Sequence, residues 1–167
     1  MKELQSILLE DVEISCSGNS LLKVALNQHM PRVEKLSEHC HSHHQWLLYL
    51  RVNGRQQIQS RRFEVARGSV ILVPKETPHR FRNASALRPL CLVVDFLSET
   101  PLQESQEGVL SSGELEEVER LLIALHEKTR NRRNNSWRIA SLILQLVVLL
   151  QRGFENDGKG PQGETLT

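Results

Sequence analysis

Residues 41–54 read HSHHQWLLYLRVNG, and residues 68–83 read GSVILVPKETPHRFRN. Runs of Leu, Val and Ile bounded by Gly, Asn and Pro predict strands over 46–52, 70–74 and 79–83. The Asn53-Gly54 pair favours positive φ at both central positions of a turn, so it predicts a tight hairpin there. Outward from these stretches the same punctuation continues. It predicts strands over 12–16, 21–26, 56–60, 63–66 and 90–96, with breaks at Gly18-Asn19, Arg67-Gly68 and Lys75 to Pro78. Many short strands at close spacing point to a barrel or sandwich rather than a parallel sheet.

Near residue 110 the period becomes helical. Ser111 and Glu114 have the spacing of a capping box. Leu115, Val118, Leu121, Leu122 and Leu125 then fall on one stripe. Residues 130–135 form a polar break. Arg130, Arg132 and Arg133 lack interleaved aromatic residues, so they read as a solvated loop rather than a nucleic-acid patch. A second helix is predicted over 137–152, apolar on more than one face. Its Leu142, Ile143, Leu146, Val147 and Leu150 are the expected dimerisation residues, because one small barrel cannot cover the whole helix. The sequence FENDGKGPQGETLT over 154–167 reads as a linker or frayed tail. The expected organisation is therefore a barrel over 1–110, a helical segment over 111–152 and a tail over 153–167.

Composition narrows the function. The 167 residues suit one domain with an appendage. Lys+Arg 21 against Asp+Glu 20 gives a net charge of +1, which provides no field for direct nucleic-acid binding. Cys16, Cys40 and Cys91 are odd in number, which favours a reducing cytoplasm over a disulfide framework. The most apolar stretch, 139–150, is interrupted by Ser141 and Gln145 and is shorter than the ~20 residues of a membrane span. Glu3, Glu10 and Asp11 stand where a secretory signal would stay apolar.

Five of the seven histidines lie between His39 and His79. Read as a strand, residues 39–45 place His39, His41, His43 and Gln45 on one face, with Cys40 and His44 on the other. His79 opens a later strand that antiparallel pairing can bring beside His41 and His43. Three neutral imidazoles at one point, His41, His43 and His79, are a candidate site for Zn, Fe, Ni or Cu. The same alternation predicts a ligand pocket of His41, His43, Gln45 and Tyr49 from one strand, with His79 and Phe81 from another. Nothing in the sequence forms an evident acid–base pair, so no catalytic residue is assigned.

The stretches 41–54 and 68–83 resemble the two motifs of the cupin superfamily. That resemblance implies a mainly β fold, a jelly-roll (double-stranded β-helix) barrel followed here by two C-terminal α-helices. Metal-binding cupins usually carry a glutamate four or five positions after the second histidine. Those positions here are Leu47 and Leu48, so the site resembles the three-histidine type found in thiol dioxygenases. Glu76 stands where the family has glycine, and reads as an exposed turn residue. With its helices ending in LILQLVVLLQR, the chain from about 20 to 152 looks like the N-terminal half of an AraC-type transcriptional regulator. That resemblance implies a barrel that binds a small-molecule effector, a homodimer formed through the helices, and DNA contact by a separate domain. The alternative it leaves is a small metal-dependent cupin enzyme, of dioxygenase or isomerase type.

Overall fold

A computed structural model describes residues 4–28, 35–86, 88–130 and 136–156. The strands are β1 (Ile7–Leu9), β2 (Ile14–Cys16), β3 (Asn19–Gln28), β4 (Lys35–His39), β5 (His44–Arg51) and β6 (Asn53–Ile58). After them come β7 (Arg61–Ala66), β8 (Ser69–Val73), β9 (His79–Asn83), β10 (Leu90–Ser98) and β11 (Gln106–Val109). Two helices follow, α1 (Ser112–Thr129) and α2 (Ser136–Asn156). Antiparallel pairing arranges the strands in two sheets. One runs β1-β3-β10-β5-β8-β11, with β2 paired to β3; the other runs β4-β9-β6-β7. This is the expected jelly-roll barrel with two C-terminal helices.

Two apolar clusters follow from alternation along the strands. Leu47, Tyr49, Ile71, Cys91 and Phe81 belong to the cluster between the sheets. Trp46, Leu48, Leu50, Val70, Leu72, Leu92 and Phe96 belong to the other, which joins the large sheet to the helices. The predicted stripe on α1 is fully used there: Leu115, Val118, Leu121, Leu122 and Leu125 are all buried. The capping box is present as well. The Glu114 carboxylate accepts from the Ser111 N–H at 2.8 Å, and the Ser111 hydroxyl accepts from the Glu114 N–H. Residues 131–135 of the polar break lie outside the described residues; Arg130 is the exposed C-cap of α1.

Several expectations need correction. Asn53-Gly54 does not close a hairpin. β5 belongs to the large sheet and β6 to the small one, so the chain changes sheets at Val52, and Asn53 and Gly54 already pair with Ala66 and Val65. Gly54 answers a demand for space rather than for positive φ. A methyl group there would meet the Arg82 carbonyl oxygen at 2.7 Å and the Phe81 ring at 2.9 Å. The tight hairpin is one element later, where Gln59 (φ 51°) and Ser60 join β6 to β7. A second sits at Ser17 (φ 51°) and Gly18 (φ 74°), one residue before the predicted turn.

Helix α2 also continues past its predicted end. Gly153, read as part of the tail, is buried inside the helix, with its backbone against Gly108 of β11. Residues 157–167 lie outside the described residues. By length and composition the 21 residues of α2 would suffice to cross a bilayer, with a mean hydropathy of 1.3. One face of the helix is instead docked: Ile143, Leu146, Val147 and Leu150 lie within the chain's own core. They are therefore not available to a second subunit, and Leu142 is partly buried beside them. The face that α2 leaves open carries Trp137 (88% exposed), Leu144 and Val148 (48% exposed).

The Gly54 contact makes a test of this packing. Gly54→Ala should lose about 1–3 kcal/mol, the usual range for overpacking. Urea denaturation would show it as a lower midpoint at unchanged slope, whereas an unchanged midpoint would mean that β6 and β9 are not this close.

Candidate functional site

A cavity of about 220 Å³ opens between the two sheets. Its wall includes Gln45, Leu47 and Tyr49 from β5, Gln56 from β6, and His79 and Phe81 from β9. Lys23, Cys91 and Val93 come from β3 and β10, and His39 and His41 stand at one end. Five of the six expected pocket residues thus line it: His41, Gln45, Tyr49, His79 and Phe81. The Tyr49 hydroxyl donates to Gln56 Oε1 at 2.8 Å, and the Tyr49 and Phe81 rings stack 5.7 Å apart. Burial holds Tyr49 well above its ordinary pKa and pushes the Cys91 thiol up to about 12, so both stay protonated.

The sixth, His43, behaves differently. Residues 39–45 do not form the one expected strand: β4 ends at His39 and β5 starts only at His44. Residues 40–43 bend between two sheets, and period-two alternation fails across the bend. His43 stacks on His41 at 5.1 Å but turns its Nε2 toward Asp95, 3.3 Å away, without the alignment of a hydrogen bond. His39 occupies the place expected for His43. It lies directly across from His79 in the β4–β9 register, after an irregularity between Leu36 and His39. One ring nitrogen from each of His39, His41 and His79 falls within 4.8 Å of the others.

The protonation of these rings follows from their neighbours. His39 Nδ1 lies 2.8 Å from the Ser37 carbonyl oxygen, and His79 Nδ1 lies 2.9 Å from that of Thr77. A carbonyl can only accept, so each Nδ1 carries the proton and each neutral ring keeps its lone pair on Nε2. Burial, then the neighbouring His79, His39 and His43, lower His41 to about 4. Burial also lowers His79. His44 is a packing residue: its Nδ1 accepts from the Lys75 N–H at 3.0 Å, and its ring lies against Phe96. The loop before β9 is tied down as well, because the Glu76 N–H donates to the His41 carbonyl at 2.6 Å. Glu76 is exposed at φ 56°, a backbone conformation that favours glycine.

Comparison with known proteins places this arrangement. Residues 27–95 match the family model described as a cupin domain. This stretch is a cupin domain. YhaK from Escherichia coli has a similar fold, with a TM-score of 0.53 at 11% identity, over 66% of this chain and 53% of that one. A cupin protein from Bacteroides fragilis gives 0.41 at 17% identity, over 62% of this chain and 86% of that one. A Bacillus subtilis oxalate decarboxylase, known for its Mn(II) centres, gives 0.43 at 19% identity, over 57% of this chain and 26% of that one. At these identities the likeness to YhaK shows the fold alone. The chain spans about half the length of YhaK and about a quarter of the decarboxylase. A search of curated proteins found no match.

Within this cupin domain, the donor set fits a divalent transition ion. Neutral imidazoles with Nδ1 held by backbone carbonyls are the usual arrangement of metal-ligating histidine. Tetrahedral bonds of about 2.0–2.1 Å put ligating nitrogens roughly 3.4 Å apart. The rings would therefore close by small rotations from the 4.8 Å limit. A bound ion would supply a Lewis-acid position for a ligand oxygen at the cavity end. The two leucines at the family's glutamate positions are parted by alternation: Leu47 lines the cavity, and Leu48 packs in the other core.

Asp95 is the residue that sequence reasoning missed. It is buried on β10, where its Oδ1 accepts from Gln45 Nε2 at 2.8 Å and its Oδ2 lies 3.4 Å from Lys23 Nζ. The signal was legible in LCLVVDFLS, since a lone acid inside an apolar strand must find partners. Cys16, Cys40 and Cys91 are all free thiols.

The lowered His41 gives a pH test. The unfolded chain takes a proton on this histidine near pH 6.5, whereas the folded chain takes it only near pH 4. Between those values the unfolded state binds more protons, so stability is highest above pH 6.5 and falls as pH drops toward 4. Urea midpoints should fall across that window in the wild type, and less steeply in His41→Gln. Identical slopes would show that His41 carries none of the effect.

Proposed function

We propose that this chain is the effector-binding and dimerisation module of a cytoplasmic AraC-type regulator, that it is not itself an enzyme, and that DNA contact falls to another domain. One observation carries the proposal. Along β5, Gln45, Leu47 and Tyr49 face the ligand cavity, while Trp46, Leu48 and Leu50 face the core shared with α1 and α2. A ligand that moves this strand moves the seat of the helices, because close-packed interiors transmit small displacements. The signal requires only that the ligand prefer one of two helix arrangements.

On this reading the dimer forms through the open face of α2, an apolar groove of about 670 Å³ lined by Trp137, Leu144 and Val148, with Glu117 and Arg152 at its border. A second copy of the chain, presenting the same face across a two-fold axis, is the proposed partner. The size of the cavity suits a small effector, since about 220 Å³ is below the ~300–1,000 Å³ of drug-sized ligand sites. The second reading, a metal-dependent cupin enzyme of dioxygenase or isomerase type, is favoured by the three converging imidazoles.

Native mass spectrometry of the protein as purified should separate the two. The proposal expects a dimer that retains a small organic molecule, His79→Ala dimers without it, and Trp137→Glu monomers. One transition-metal ion per chain with no organic adduct would favour the enzyme. Bare monomers throughout would contradict the proposal.

A further inference from the structure

The polar groups of the cavity divide by what they can offer. At one end, His39 and His79 present Nε2 lone pairs, because their Nδ1 protons are committed to backbone carbonyls. These atoms accept hydrogen bonds and ask the ligand for O–H or N–H donors. Lys23 lines the wall near that same end, in register with Asp95, which pairs with Gln45 and lies 3.3 Å from His43 Nε2. Its ammonium is held 3.4 Å from Asp95 Oδ2, which leaves further N–H bonds for a ligand. Asp95 shares its charge with Gln45 and Lys23, and approaches His43, but is not itself part of the cavity wall. Among the described residues that line the cavity there is no Asp or Glu. The site therefore has a cation on its wall whose carboxylate partner, Asp95, lies behind that wall, and imidazole acceptors with no acid on the wall to supply them.

We infer that the cavity takes a small hydroxycarboxylate, with its carboxylate at Lys23 and its hydroxyl groups at the imidazole Nε2 atoms. This deepens the cavity reading above and rests on it. A neutral polyol of the same size would satisfy the imidazoles and leave Lys23 unused. A simple alkyl carboxylate would satisfy Lys23 and leave the acceptor of buried His79 unpaired, which costs affinity. Tyr49 and Phe81 supply an apolar wall for the carbon chain. The small volume restricts the ligand to a few carbons. Asp95 then acts as a positioning residue, fixing Lys23 and one amide hydrogen of Gln45 at the wall.

Calorimetric titration of the full chain, stripped of metal with a chelator, against glycerate, glycerol and propionate tests this. Glycerate should bind at least about tenfold more tightly than either of the others, the loss expected when one charged or polar contact goes unmade. Lys23→Met should abolish the preference for glycerate over glycerol while leaving glycerol binding unchanged. Lys23→Arg, which keeps a cation for buried Asp95, should retain the preference and guards against misfolding of the first variant. Equal affinity for glycerol and glycerate in the wild type, or equal weakening of both by Lys23→Met, would overturn the ligand class and leave the cavity reading standing. Failure of all three compounds to bind would overturn the ligand class, and the cavity reading would fall with it only if the protein as purified also carried no organic molecule.

Discussion

Every residue from His44 to Leu50 is buried, and a strand in that position needs cover on both faces. The small sheet provides it on one side, where Phe63, Val65 and Phe81 meet Leu47 and Tyr49. The helices provide it on the other, where Leu121, Leu122, Ile143 and Leu146 belong to the same cluster as Trp46 and Leu48. β5 also sits between β10 and β8 in the large sheet, so it has no free edge. The two C-terminal helices are thus part of the barrel's own packing. Trp46 stacked on Phe96 at 3.9 Å marks how closely the back of the sheet is filled.

The histidine cluster depends on where the strands flanking this element stop. β4 ends at His39 and β5 begins at His44, so four residues carry the chain from the small sheet to the large one. That short crossing faces the start of β9, where His79 is buried and held by Thr77. The result is a mouth built from three places: a strand end, a crossing and a strand start. Burial lowers both His41 and His79, and for His41 repulsion by the neighbouring histidines adds to it. Nearby Asp95 is partnered instead by Gln45 and Lys23.

Much of this was legible in the sequence, and the exceptions share a cause. The central strands β5, β8 and β10 are apolar runs, and the α1 stripe has a clean helical period, so both were read correctly. The missed strands β1, β4 and β11 are edges of their sheets. An edge strand need not alternate or be apolar, and KLSEH and QEGV do neither. Glycine was ambiguous in the same way. Gly54 and Gly153 were read as chain-reversing or loosening residues, but each makes room for a neighbouring backbone. The pocket was found in outline because alternation holds within β5 and β9. His39 replaced His43 because alternation does not survive a bend between sheets. The face of α2 was misjudged since composition shows how much of a helix is apolar, and not which side its own core will take.

The central claim is that His39, His41 and His79 form the three-imidazole site and that His43 stands outside it. Equilibrium dialysis against Zn²⁺, comparing the wild type with His39→Ala and His43→Ala, tests it most directly. Loss of one of three ligands should weaken binding by far more than the ~10–100-fold typical of removing a group that only orients a ligand. The account predicts that His39→Ala falls by that larger margin and that His43→Ala stays within the smaller one. Loss of the ion from His43→Ala with retention by His39→Ala, or a wild type that binds no zinc, would contradict it.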